Sequence, residues 1–164
     1  TIYAIVEGLH VYAPNIYKTA ETVQSRVGDV AIGFRRQAPQ IRLTAAIDPA
    51  LNRIDGPSSQ TVYRVIQEAL TNVLRHAGAS NTHVEAAIAG EELVVEISDD
   101  GGGFPADNVF GRGLTGMQER VRALSGSLLL LRANERTFVR CHLPIGELQG
   151  AASPSDVQSP FRSD

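Results

Sequence analysis

Glu68, Asn72 and His76 stand four residues apart in the run Tyr63-Arg-Val-Ile-Gln-Glu-Ala-Leu-Thr-Asn-Val-Leu-Arg-His-Ala77. On an α-helix four residues advance only ~40° around the axis, so the three side chains line one strip. An amide oxygen such as that of Asn72 suits a hard cation like Mg²⁺, which takes few protein ligands and keeps its waters. The carboxylate of Glu68 can orient or deprotonate a water, or hold a metal-bound one. Arg75 and His76 can meet phosphate oxygens. The same spacing also describes an ordinary solvated helix face.

A second group follows at Asp99-Asp100-Gly101-Gly102-Gly103. Asp99 with Gly101 and Gly103 reads D-x-G-x-G at the end of a strand-like run. An ionised carboxylate only accepts hydrogen bonds, so at a sheet rim it selects a donor such as an exocyclic amino group. A charged hydrogen bond of that kind contributes about 1.5–3 kcal/mol. Glycines let the backbone turn sharply and approach a flat ligand closely. Asp100 competes for the carboxylate role, but Asp99 keeps the spacing to both glycines; Asp-Gly clusters are also commonly plain turns. The third group, Gly111-Arg112-Gly113-Leu114-Thr115-Gly116-Met117, lies where a helix begins. Unpaired N–H groups at such a start make an anion site. A loop of flexible glycines is the plainer alternative. No G-x-x-x-x-G-K-[ST] run is present and Lys18 is the only lysine, which excludes a P-loop.

These groups need elements to hold them. Val62, Ile66, Ala69, Val73 and Ala77 make an apolar stripe at helical spacing over 59–77. Gly78 follows as a left-handed cap, and a serine after Asp55-Gly56-Pro57 caps the start. Residues 41–47, 83–89 and 93–98 read as strands, with Gly90-Glu91-Glu92 as a hairpin turn. A helix is expected from Leu114 to Leu124, stopped by Ser125-Gly126, and an antiparallel pair over 127–133 and 137–143. Upstream, Ile16 to Phe34 can form a helix weakened by Gly28 and Gly33. Strands and helices do not alternate regularly. The expected fold class is therefore α+β, a two-layer sandwich with a mixed, mostly antiparallel sheet and helices on one face. The expected divisions are a helical N-terminal segment (1–40), a domain (41–145) and a disordered tail (146–164) rich in Ser, Pro, Gly and Asp.

Composition narrows the function. The chain has 164 residues, 43% hydrophobic and 20% charged, which excludes wholesale disorder. Its net charge of −3 argues against a general nucleic-acid binder. The single cysteine, Cys141, rules out an internal disulfide or a multi-cysteine zinc site and reads as a core thiol. No apolar run approaches the ~18 residues needed to span a bilayer. The chain opens on Thr1 rather than Met and is expected to be a reducing-compartment piece of a longer protein.

With the three groups in this order, the chain resembles two-component sensor histidine kinases. Tyr63–Ala77 is similar to their N box, Asp99–Phe104 to the G1 box and Gly111–Met117 to the G2 box. The likeness is greatest to the subfamily of nitrate and hexose-phosphate sensors, which signal to LuxR-type response regulators. Met117–Gly126 and the last strand, ending in Leu143-Pro144, continue that pattern, and the likeness covers roughly 60–145. It implies a Bergerat-type fold of the gyrase, Hsp90, histidine kinase and MutL superfamily, with ATP and Mg²⁺ as ligands. It also implies roles. Asn72 would ligate Mg²⁺, Glu68 would act as a base or water-positioning residue, and Arg75 and His76 would contact phosphate. Asp99 would take the adenine amino group, helped by a water near Gly103. Gly111, Gly113 and Leu114 would form the hinge and phosphate-facing end of a short lid, and Thr137 would lie near adenine. The chain has Arg136-Thr137 where the family has Gly-Thr. Residues 1–40 carry no phospho-acceptor box, since His10 is followed by Val11-Tyr12. The phosphorylated histidine is therefore expected on a separate dimerisation domain of a homodimeric parent. This piece would be a monomer on the cytoplasmic side, and the parent could be anchored in the inner membrane. A nucleotide-binding regulatory module without phosphotransfer, such as a degenerate kinase or an anti-sigma-like protein, is the alternative.

Overall fold

The computed structural model describes residues 22–54, 56–103 and 112–145. Helix α1 spans Val23–Gln37, strand β1 Arg42–Ile47 and helix α2 Gly56–Asn72. A π-helical turn, Val73–Ala77, continues α2. Strands β2 (Asn81–Ala89) and β3 (Glu92–Asp99) form a hairpin; helix α3 (Arg112–Ala123) and strands β4 (Ser127–Ala133) and β5 (Arg136–Pro144) follow. Among the described residues the sheet has five strands in the order β1-β2-β3-β5-β4. Only β1 and β2 run parallel; the other pairs are antiparallel. A parallel pair needs a long crossover, and α2 supplies it.

Strand alternation assigns the two faces. Leu43, Ala45, Val84, Ala86, Leu93, Val95, Ile97, Val139, Cys141 and Leu143 are buried beneath the helices. Their neighbours Thr44, His83, Glu85, Glu96 and Arg140 stand on the other face. Val62, Val65, Ile66 and Ala69 of α2, with Met117 and Val121 of α3, close the core from the helical side. The fold is thus an α+β two-layer arrangement with a mixed sheet.

Several local expectations shift. α1 runs to Gln37 rather than stopping at Phe34, with Thr22 accepting from the Ser25 N–H at 3.1 Å as its cap. Val23, Val27, Ala31 and Phe34 of α1 join the same core as the sheet. The serine expected to cap α2 does not, because the helix already begins at Gly56 and Ser58 is buried inside its first turn. Glu92 belongs to β3, leaving Gly90-Glu91 as the turn. The expected start of the first helix, His10, the linker after Gly103, Gly111 and the tail 146–164 lie outside the described residues.

Candidate functional site

α2 crosses the sheet as the β1–β2 connection and carries Glu68 and Asn72. Its apolar stripe faces the core, so the polar strip beside it turns toward the rim where β3 ends. The last turn before Gly78 (φ +57°) is π-helical and not α-helical. Each residue of a π turn advances less around the axis than in an α-helix. Glu68 and Asn72 therefore keep their shared strip, but His76 is displaced from the straight continuation expected of it. Arg75 and His76 are both exposed.

Two glycines bind this helix to the other groups by close approach. A Cβ on Gly101 would overlap the Ala77 carbonyl oxygen, and the next N–H, of Gly102, donates to that oxygen at 2.7 Å. A Cβ on Gly113, at the start of α3, would fall inside the Glu68 carboxylate. The glycine loop thus seats on the end of the π turn, while α3 begins against the middle of α2. Glu68, Asn72, Asp99, Gly101 and Gly113 gather around one helix.

Asp99 is 6% exposed at the last position of β3. Its Oδ1 accepts from the Gly101 N–H at 2.9 Å. Burial pushes its carboxyl above the ordinary value; the Gly101 bond opposes this, Asp100 adds to it, and Arg132 and Arg136 pull back. Asp100 has a different task. It is exposed, and accepts from Ser80 N, Asn81 N and Asn81 Nδ2 at 2.8, 2.8 and 2.7 Å. Those bonds, led by the Asn81 side chain, hold its carboxyl below the ordinary value. Of the two acids, Asp99 alone is the buried one at the rim.

Thr137, 4% exposed, stands directly opposite Asp99 across the β3–β5 ladder. Arg136, its neighbour, turns to the other face, where Nη2 donates to Ser98 Oγ at 3.0 Å. The arginine in place of the family's glycine therefore does not crowd the Asp99 side. Leu114 is buried in the core. Gly103 has φ +83° and lies against the guanidinium of Arg132. That arginine is a neighbour of the site that sequence reasoning missed. Its Nη1 donates to the Gly101 carbonyl at 2.9 Å and reaches Thr137 Oγ1 at 3.4 Å. Its only signal was its register position opposite Thr137.

The side-chain amide of Asn72 has a buried Nδ2 without a hydrogen-bond partner. Such an orphan in a native fold calls for a bound group or water. Asn72 and Glu68 together offer hard oxygen donors suited to a divalent cation. Among the described residues no three His, Cys, Asp or Glu side chains form a metal cage.

Residues 58–147, more than half of the chain, match the family described as histidine kinase-, DNA gyrase B- and HSP90-like ATPase. The chain is 50% identical over 72 residues to the sensor histidine kinase YxjM of Bacillus subtilis, covering 43% of this chain and 17% of that protein. It is 34% identical over 116 residues to the sensor histidine kinase NarS of Mycobacterium tuberculosis, covering 66% of this chain and 26% of that one. The match thus spans about a quarter or less of each relative's length. The histidine kinase domain of the Erythrobacter litoralis EL346 blue-light activated kinase superposes with a TM-score of 0.67 at 21% identity, over 81% of this chain and 66% of that one. That likeness shows a shared fold, and together with the matched sequence it identifies this chain as a member of the histidine kinase-, DNA gyrase B- and HSP90-like ATPase family.

Proposed function

We propose that this chain is the ATP–Mg²⁺-binding catalytic part of a sensor histidine kinase. The single observation that carries the reading is the convergence on α2: Glu68 against Gly113, and the Asp99 loop seated on Ala77. Asp99 reads the adenine amino group, with Thr137 beside it. Asn72 holds the cation through its amide, and Arg75 and His76 meet the phosphates. Glu68 orients the attacking group or takes its proton. Gly111, Gly113 and Leu114 supply the hinge and the phosphate-facing start of α3. Mg²⁺, when bound with the nucleotide, neutralises charge on the phosphates. Phosphoryl transfer depends mainly on positioning and charge stabilisation, and these residues do both.

The acceptor is a histidine on a dimerisation domain of the parent, which then signals to a LuxR-type response regulator. A membrane-anchored parent belongs to the same proposal; among the described residues no helix is long and apolar enough to cross a membrane. Calorimetric titration with a non-hydrolysable ATP analogue, with and without Mg²⁺, tests the binding step. Asn72→Ala should remove the Mg²⁺-dependent part of the affinity; an equal loss with and without the ion contradicts its role. Transfer of a labelled γ-phosphate to a supplied dimerisation domain tests the kinase step, and binding without transfer points to a regulatory module.

A further inference from the structure

The face of the sheet turned away from the helices is not flat. At the end where β3 terminates, a recess of about 400 Å³ opens over Arg42, Thr44, Asn81, His83, Ser98 and Arg136. Its size falls within the range of small-molecule sites. None of its lining residues is acidic, while two carry guanidinium groups and one an imidazole. The nearest acid along β3, Asp99, points to the opposite face, although its charge is felt by Arg136; Asp100, beyond the strand end, has its oxygens engaged by Ser80 and Asn81, and Glu85 stands two residues from His83 on the same face. Further along the same face, Glu96 is paired with Arg140 at 2.7 Å.

The side chains are positioned rather than loose. Thr44 Oγ1 lies 2.7 Å from His83 Nδ1, which fixes the ring and leaves Nε2 as its other polar atom. Arg136 spends one of its donors on Ser98 Oγ at 3.0 Å. A guanidinium has five donors in a rigid fork, a geometry matched to phosphate oxygens.

We propose that this recess is an anion site, built on Arg42, His83 and Arg136, which takes the phosphate group of a small phosphorylated molecule. It is distinct from the nucleotide site: the strands separate the two, and Ser98 at its floor immediately precedes Asp99 on the opposite face. Two guanidinium groups and an imidazole match a dianion better than a single carboxylate.

Backbone amide NMR of the chain tests this, with inorganic phosphate, methyl phosphate and acetate as probes at matched ionic strength. Saturable shifts at Thr44, His83 and Ser98 are expected with both phosphates, and only weak, unsaturated shifts with acetate. Arg136→Gly should weaken the phosphate response about tenfold, the scale of one charge-assisted hydrogen bond. Arg136→Lys should keep more of it, which separates lost charge from lost fold. Asn72→Ala should leave the response intact. Shifts confined to α2 and the start of α3, an equal response in Arg136→Gly, or equal binding of acetate would each overturn the proposal.

Discussion

Asp99 meets two opposing demands. In its proposed role its burial would let a purine amino group be read without competition from water, and the same burial penalises its charge. The sign for stability follows. A carboxyl raised in the folded state contributes most favourably below its unfolded value, and that contribution is lost as pH rises through the folded value. Asp99→Asn keeps an oxygen for the Gly101 N–H and removes the charge. Its stability relative to wild type should therefore increase as pH rises from the unfolded carboxyl value through the raised folded value, while ATP affinity falls about ten- to a hundredfold. Thermal melts across pH and calorimetry check the two halves; unchanged affinity would remove Asp99 from the site. Asp100, held below its ordinary value, acts in reverse: its contribution is lost as pH falls through the folded value. Cys141 is fully buried with its thiol pushed up to about 12. It should resist alkylation in the native state and react once urea exposes it; rapid native labelling would contradict its place in the core. Such residue types were legible in the sequence because each has a narrow chemical repertoire. Arg132 was not, since an arginine on an edge strand looks like any solvated charge until the fold brings it to Gly101.

At the scale of elements, spacing revealed the helices and strands, and contact decided their ends. The strand expected over 41–47 forms as β1 over 42–47, with Leu43 and Ala45 buried on its alternation. The last turn of α2 could not be read the same way. A π turn uses the same residue types as an α turn, and the carbonyl of Ala77 must meet Gly102 for the glycine loop to seat. The Gly113 contact makes a sharper prediction. Gly113→Ala forces the Glu68 carboxylate aside, and that end of a flexible side chain can swing clear. Urea unfolding should therefore change by under about 1 kcal/mol while nucleotide titration shows a weaker affinity; intact affinity would separate the Glu68 contact from the site. The opposite holds in α1. A Cβ on Gly28 or Gly33 meets nothing within 4 Å, so replacing either with Ala should stabilise the chain by about 0.5–1 kcal/mol. Denaturant midpoints that fail to rise would contradict this.

For the whole molecule, the two-layer arrangement followed from irregular alternation of strands and helices, but strand order did not. Nothing local in residues 41–47 announces that they pair parallel with β2 across the intervening helix. Nor does α1 declare that Val27 and Phe34 will share the core with Ile66 and Leu93. Those are long-range pairings, set by which apolar faces can cover one another, and a single sequence holds them only collectively. Ligand linkage offers a global check. An ATP analogue at a hundred times its dissociation constant should stabilise the native state by about 2.7 kcal/mol. A melting temperature indifferent to nucleotide would weigh against a preformed pocket.

Because α2 is itself the bridge between the parallel strands, its unfolding cannot stay local. Among the described residues β1 is an edge strand, joined to the sheet through β2. Fraying of the bridge would free that edge and carry Arg42 and Thr44 with it. Amide hydrogen exchange in β1 and α2 should therefore proceed as one cooperative unit, slowing together when nucleotide clamps the helix.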